Sequence, residues 1–257
     1  MPNGPGKIYL VGLGPGDAQY LAPAASQALA DSEVIVGLRA YIQQIEPMTA
    51  GKQVVSMELG QELERASAAV DLAYSGKTVA VVSSGDAGIY GMSGPVFRVL
   101  TDRDWDGQSP AVETVPGVSA MQAAAAVLGS PLMQDFCAIS LSDLLTPWDK
   151  IRGRLEAAGQ GDFVVALYNP RSQRRQKQLL EAREILLRHR LGTTPVGVVG
   201  DAFRPSQRVT ITTLQDLEQE AESIDMVTLV LIGNSTTYLH GGKMITPRGY
   251  EEKAKSS

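Results

Sequence analysis

Two α/β domains with a cofactor cleft between them are what this sequence predicts, and three observations carry the prediction. Short β-branched runs recur along the chain, among them Lys7–Val11, Thr78–Val82, Ala111–Val115 and Asp162–Leu167. Between them lie stretches whose apolar residues fall at helical spacing, such as Leu21–Ala30 and Glu58–Tyr74. Several of the runs stop abruptly in glycines and small polar residues, and the carboxyl edge of an open parallel sheet is where such folds bind ligands.

The bulk numbers set limits on function. A chain of 257 residues has room for one large domain or two of roughly 100–150 residues. It is 44% hydrophobic and 20% charged, an ordinary globular composition. No apolar run approaches the roughly 20 residues needed to span a bilayer, and the opening Met-Pro-Asn-Gly-Pro-Gly lacks the apolar stretch of a signal peptide. The single cysteine, Cys137, excludes an internal disulfide and suits a reducing compartment. The expectation is therefore a cytoplasmic chain without a membrane partner. One cysteine and two separated histidines, His189 and His240, argue against a structural zinc or iron–sulfur site, so no metal is expected. A net charge of -5 argues against a nucleic-acid partner.

Taken in order, residues 1–6 are Pro/Gly-rich and expected to fray. Lys7–Val11 is the first strand, closed by Gly12-Leu13-Gly14-Pro15-Gly16-Asp17. The spacing is G-x-G-x-G, Asp17 stands where a dinucleotide fingerprint has its third glycine, and Pro15 removes a backbone donor. A tight loop that presents Asp17 to a cleft fits these residues; so does an Asp17 that merely caps the following helix. After the helix Leu21–Ala30 come strands at Glu33–Gly37 and Val54–Val55. The helix Glu58–Tyr74 places Leu63, Ala66, Ala69, Val70 and Ala73 on one face. Thr78–Val82 then feeds Ser83-Ser84-Gly85-Asp86-Ala87-Gly88-Ile89-Tyr90-Gly91-Met92, followed by a helix over Pro95–Leu100. Here the glycines allow close approach to the backbone, and Asp86 can accept hydrogen bonds from hydroxyls or an amine.

Ala111–Val115 runs into Pro116-Gly117-Val118-Ser119-Ala120 and an Ala-rich helix, Met121–Leu128, whose small side chains allow close approach to a flat ligand or, more simply, a tightly packed interior. The alternation restarts with strands at Phe136–Leu141 and Asp162–Leu167 around a helix opened by Pro147. Tyr168-Asn169-Pro170-Arg171-Ser172 ends the second of these strands. A basic helix over Gln173–Arg190 follows, with Arg171, Arg174, Arg175 and Lys177 crowding its start. Cations there oppose the helix macrodipole unless an anion sits nearby, although a solvated helix face explains them as well. Pro195–Val199, Arg208–Thr212 and Met226–Ile232 complete a second, mixed sheet. The domain boundary falls within 110–120, giving an N-terminal domain over 1–115, a C-terminal domain over 116–250 and a disordered tail over 251–257.

Together the segments at Gly12–Asp17, Ser83–Met92, Pro116–Ala120 and Tyr168–Ser172 resemble the tetrapyrrole (precorrin) methyltransferase family, with a match running from about Lys7 to Tyr250. Ser-Ser-Gly-Asp-x-Gly-Ile-Tyr-Gly-Met, Tyr-Asn-Pro-Arg-Ser and the closing Met244-Ile245-Thr246-Pro247-Arg248-Gly249-Tyr250 are similar to the branch that methylates C-17 of precorrin-3B. The resemblance implies the tetrapyrrole methylase fold, S-adenosyl-L-methionine (SAM) as cofactor with S-adenosyl-L-homocysteine as product, and a homodimer. By position it implies that Pro15 lines the site, that Ser84, Gly85, Asp86 and Ile89 hold the methionine part, and that Ser119 and Ala120 lie beside the cofactor. Tyr168 and Asn169 would contact the adenosine side, with Ala202 at a further contact position where relatives often carry glycine.

The implied chemistry is methyl transfer coupled to ring contraction in cobalamin biosynthesis. The sulfonium is already activated, so methyl transfer mainly needs alignment. Contraction needs a general base, for which Asp17 is the candidate, with Tyr90 as a partner. Arg39, Arg171, Arg174 and Arg175 are candidates for the substrate carboxylates, which guanidinium groups grip in bidentate fashion. Rival readings are the cobalt-containing substrate of the anaerobic route, another precorrin methylase, a non-catalytic tetrapyrrole-binding protein, and a nicotinamide-dependent reductase. The absent G-x-G-x-x-G weighs against the last.

Overall fold

The computed structural model describes residues 6–250; the expected tail at 251–257 and the start of the chain, 1–5, lie outside the described residues. Among the described residues the chain divides into two compact units, with the break after Ala120.

The first unit runs β1 (Lys7–Gly12), α1 (Pro23–Asp31), β2 (Val34–Leu38), α2 (Arg39–Gln44), β3 (Gln53–Met57), α3 (Glu62–Tyr74), β4 (Thr78–Ser83), α4 (Ser93–Thr101) and β5 (Ala111–Val115). Its sheet has the order β3-β2-β4-β1-β5, and every pairing is parallel. Alternate side chains of the central strands feed two cores, which is why these strands read as unbroken apolar runs. Ile8, Leu10, Val79 and Val81 pack with Ala66, Val70, Val96 and Leu100 of α3 and α4. Tyr9, Val11, Ala80 and Val82 pack on the other face with Ala25 and Leu29 of α1. Each fully buried Val, Leu or Ile contributes about 1.5–3 kcal/mol. Because all five strands run the same way, all five carboxyl ends open onto one edge.

The second unit comprises α5 (Ala120–Leu128), β6 (Gly129–Ser130), β7 (Phe136–Ser140), α6 (Trp148–Gln160), β8 (Val164–Tyr168), α7 (Lys177–Leu187), β9 (Pro195–Gly200), β10 (Arg208–Thr213), β11 (Thr228–Ile232), β12 (Tyr238–His240) and β13 (Lys243–Ile245). Its main sheet, β10-β9-β11-β8-β7, is mixed: β7 and β8 are parallel, while β11 is antiparallel to both β8 and β9. One face carries Val165, Leu167, Val230 and Ile232 against α6 and α7. The other carries Val164, Ala166, Leu229 and Leu231 against Met121, Ala124 and Leu128 of α5 and Met244 of β13. Ala123 and Ala124 are wholly buried, so these alanines serve packing. Gly197 makes that packing possible: a Cβ there would lie 2.3 Å from Leu128 Cδ1.

Several boundaries and elements differ from the sequence expectation. The helix expected from Glu58 starts at Glu62, because Gly60 adopts φ +90° and breaks the chain direction. On that helix Leu63 is 58% exposed, while Arg65 takes the buried position beside Ala66 and Ala69. The basic helix expected over 173–190 is only Lys177–Leu187. Arg171, Arg174 and Arg175 therefore precede it in a loop where Ser172 and Arg175 exchange backbone hydrogen bonds of 2.9 and 3.1 Å, and the macrodipole argument does not apply to them. The short elements α2, β6, β12 and β13 were not expected. Among the described residues no helix is long and apolar enough to cross a membrane.

Candidate functional site

In the first unit, β4, β1 and β5 are neighbours, so the three Gly-rich segments that follow them meet at one sheet edge. They meet backbone on backbone. Gly14 N–H donates to Gly85 O at 3.0 Å and Gly85 N–H to Gly14 O at 2.7 Å. A Cβ on Gly12 would lie 2.6 Å from Gly117 N, and one on Gly117 only 2.2 Å from Gly85 O and 2.7 Å from Gly12 C. Gly14 and Gly85 also sit at φ +73° and +66°, the left-handed region that side chains avoid.

Asp86 ties the junction together. Its Oδ1 accepts from Gly88 N–H at 2.8 Å within its own loop, and its Oδ2 accepts from Gly117 N–H at 3.0 Å. A carboxylate has about four acceptor positions, so both oxygens retain capacity for a further donor. At the far end of the loop Met92 N–H donates to Ser83 Oγ at 3.0 Å. Between these anchors Gly88, Ile89 and Tyr90 are exposed. Tyr90 is held at φ +55°, a strain of order 1–3 kcal/mol of the kind that gathers at functional sites.

Asp17 lies on the same edge. Its Oδ1 accepts from Gln19 N–H at 2.8 Å and caps the short 3-10 turn Ala18–Tyr20, so the capping reading holds, with the second carboxylate oxygen left for other work. Pro15 is buried beside it, and Asp17 lines a recess of about 30 Å³ with Gly16, Gln44 and Met48. Ser84 sits on the β4 loop and the buried Ser119 on the β5 loop, while the exposed Ala120 opens α5. Arg39, the first residue of α2, is exposed and gives its Nε to Glu58 Oε1 at 2.7 Å.

In the second unit Tyr168 and Asn169 end β8, and Ala202 follows β9 at the same sheet edge. Met121 N–H donates to the Tyr168 hydroxyl at 3.1 Å, and Asn169 Nδ2 donates to Ser140 Oγ at 3.0 Å. Arg175 departs from its expected role. It is 6% exposed, donates to the Asn169 carbonyl and lies 3.8 Å from Asp143, so its guanidinium holds the loop rather than a ligand. Burial pulls its pKa down, with Asp143 opposing. Arg171 donates to Ala221 O at 2.6 Å, and Arg174 is exposed.

A family model described as Tetrapyrrole (Corrin/Porphyrin) Methylases matches residues 7–218. The chain belongs to this family. Among curated relatives of this methylase, a cobalt-factor III methyltransferase of Priestia megaterium is 45% identical over 96% of this chain, which spans 46% of that longer protein. A probable cobalt-factor III C(17)-methyltransferase of Salmonella typhimurium is 46% identical, with 95% of this chain matching 99% of that one. Among solved structures, that of the methyltransferase CobJ superposes with a TM-score of 0.88 at 37% identity, covering 94% of this chain and all of the other. The methylase fold expected from the motifs is thus the observed one. What the motifs did not reveal is how the loops are held: the triple-glycine contact and the bond from Gly117 N–H to Asp86 depend on strand order, which no local spacing encodes.

Proposed function

We propose that this methylase transfers a methyl group from SAM to C-17 of a tetrapyrrole at the precorrin-3 stage of cobalamin biosynthesis, with contraction of the ring to the precorrin-4 level. The observation that carries the reading is the junction of three Gly-rich loops locked by Asp86 at one parallel-sheet edge. It is joined by 45–46% identity to proteins named for cobalt-factor III methylation. The site fits SAM. The exposed residues Gly88–Tyr90 leave the loop open to a ligand, and Asp86 supplies negative charge for the ammonium of the methionine part.

When bound, SAM supplies a methyl group already activated on a sulfonium, so the protein needs no nucleophile of its own. The residues bind and orient. Gly85 and Asp86 fix the loop; Ser84 and Ile89 would hold the methionine part with Pro15, Ser119 and Ala120, and Tyr168, Asn169 and Ala202 of the second unit would serve the adenosine side. For contraction, the free oxygen of Asp17 accepts the proton of the ring hydroxyl, with Tyr90 as its partner on the same edge. Arg39, Arg171 and Arg174 serve the substrate carboxylates.

That the relatives at 45–46% identity are named for cobalt-factor III favours the cobalt-bearing substrate over metal-free precorrin-3B. We further assign a homodimer working in the cytoplasm, which sedimentation and cell fractionation check.

Titration calorimetry with S-adenosylhomocysteine beside NADPH tests the cofactor, and tight binding of the first alone is expected. No binding, with no cofactor carried through purification, would sink the reading. Incubation with cobalt-bearing and metal-free substrate, read by mass, then decides the substrate form. Asp17→Asn, which still caps the turn, is expected to stop contraction while leaving methylation; an unchanged yield of contracted product removes Asp17 from the mechanism.

A further inference from the structure

The helix α3 buries a residue that no amphipathic pattern would bury. Arg65 is 3% exposed. Its Nη1 donates to Met92 Sδ at 3.3 Å and its Nη2 to the carbonyl of Glu58 at 2.8 Å, while its Nε has no partner among the described residues. It forms no ion pair among the described residues; the carboxylate of Glu58, whose carbonyl it reaches, is paired with Arg39 instead. A buried guanidinium without a counter-ion is costly, and a methionine or leucine of similar volume would ordinarily be more stable there. Packing alone therefore does not account for an arginine at this place.

Its two partners do. Met92 closes the loop that follows β4: its N–H bonds to Ser83 Oγ, and the next residue begins α4. Glu58 opens the turn after β3, accepts from Arg39 through its side chain and is followed by the exposed Leu59. One rigid, planar group thus spans the end of the Ser84–Met92 loop and the start of the 58–61 turn, which leave the sheet from strands separated by β2. A guanidinium can bridge two acceptors held at fixed separation; a lysine ammonium on a flexible stem cannot do so with the same geometry.

We propose that Arg65 is a positioning residue that couples the cofactor loop to the turn after β3, so that filling the cofactor site orders residues 58–61 and the Arg39–Glu58 pair. The proposal rests on the reading that the Ser84–Met92 loop holds SAM. Its functional consequence is sequence of binding: the cofactor enters first and sets Arg39 for the tetrapyrrole.

Hydrogen exchange read by mass spectrometry on the full chain, with and without S-adenosylhomocysteine, tests it. In the wild type, ligand is expected to slow exchange over both 84–92 and 58–61. In Arg65→Met, which keeps the packing and loses the donors, protection over 84–92 persists, protection over 58–61 disappears, and the ligand binds about tenfold more weakly. Arg65→Lys carries the same test if the methionine variant does not fold, since a single nitrogen on a flexible stem does not reproduce the fixed spacing of Nη1 and Nη2. A merely structural arginine would shift the melting temperature and leave the pattern of protection intact. Protection of both segments in either variant overturns the proposal, as does a wild type that binds and protects 84–92 alone. A wild type that does not bind at all overturns the cofactor reading instead, and this inference with it.

Discussion

Replacing Gly117 by alanine puts the most direct load on the loop junction. The added Cβ would stand 2.2 Å from Gly85 O, 2.7 Å from Gly12 C and 2.8 Å from Gly12 O. All three are backbone atoms of neighbouring strands' ends, so no side chain can swing aside and the loops themselves must part. Overpacking of this kind costs about 1–3 kcal/mol, and rigid neighbours put this site near 3. At roughly 2–4 °C per kcal/mol for a chain of this size, the melting temperature falls by about 6–12 °C. The shift also strains the Gly117 N–H bond to Asp86. If binding must recover about 1.4 kcal/mol of that displacement, S-adenosylhomocysteine binds about tenfold more weakly. Gly94→Ala is the control: a Cβ there meets nothing within 4 Å, and the exchange should stabilise by about 0.4–1 kcal/mol. Thermal melts and calorimetry on the two variants decide it. A Gly117→Ala protein with wild-type melting and wild-type affinity would refute the account of the junction.

Other outcomes follow from the same geometry. Asp86→Asn turns an NH2 toward one of the two backbone N–H donors, which should cost about 1–3 kcal/mol and more than tenfold in S-adenosylhomocysteine affinity by calorimetry. Arg190 is buried and donates to the carbonyls of Ala158, Phe163 and Gly233; Arg190→Met strands all three and should lower stability by about 3 kcal/mol in a urea titration. Glu156 accepts from His189 Nε2 at 2.7 Å, which together with Arg188 holds its carboxyl below the ordinary 4.5. A depressed acid stabilises the fold above its unfolded value and loses that contribution as pH falls through the folded one. The stability difference between wild type and Glu156→Gln should therefore be full near neutrality and shrink as melts are taken at pH values falling below 4.5.

Much of the framework is legible in the sequence. Thr78–Val82 and Lys7–Val11 announce themselves because a strand buried on both faces needs an apolar residue at every position. The glycine clusters announce the strand ends. The elements that escaped notice are short or half wet: α2 has six residues and no capping side chain, and β12 is exposed throughout, so neither leaves a period to find. The start of α3 was misplaced because Glu58 to Gln61 are good helix formers apart from Gly60, whose positive φ decides the matter. At the candidate site, that Asp86 is a hydrogen-bond acceptor is legible in the sequence, and which backbone groups it accepts from is not. Its partners Gly88 and Gly117 lie 2 and 31 positions away, and only the adjacency of strands β1, β4 and β5 brings the second one close. Arg175 misled for the opposite reason: a run of cations looks like a ligand grip until burial shows one member spent on the loop.

The small sheet of β12, β13 and β6 has a meaning for how the chain comes into being. Met244 and Ile245 pair in parallel with Gly129 and Ser130, more than a hundred positions earlier, and the wholly buried Met244 fills the layer beneath α5. During synthesis, the cover over α5 stays incomplete until residues 243–245, more than a hundred positions further on, have left the ribosome. The first unit, whose strands all lie before Ala120, meets no such delay. A truncation just before Lys243 should therefore yield a chain whose front half is native while its rear half is handed to chaperones, a vectorial order written into two residues of parallel pairing.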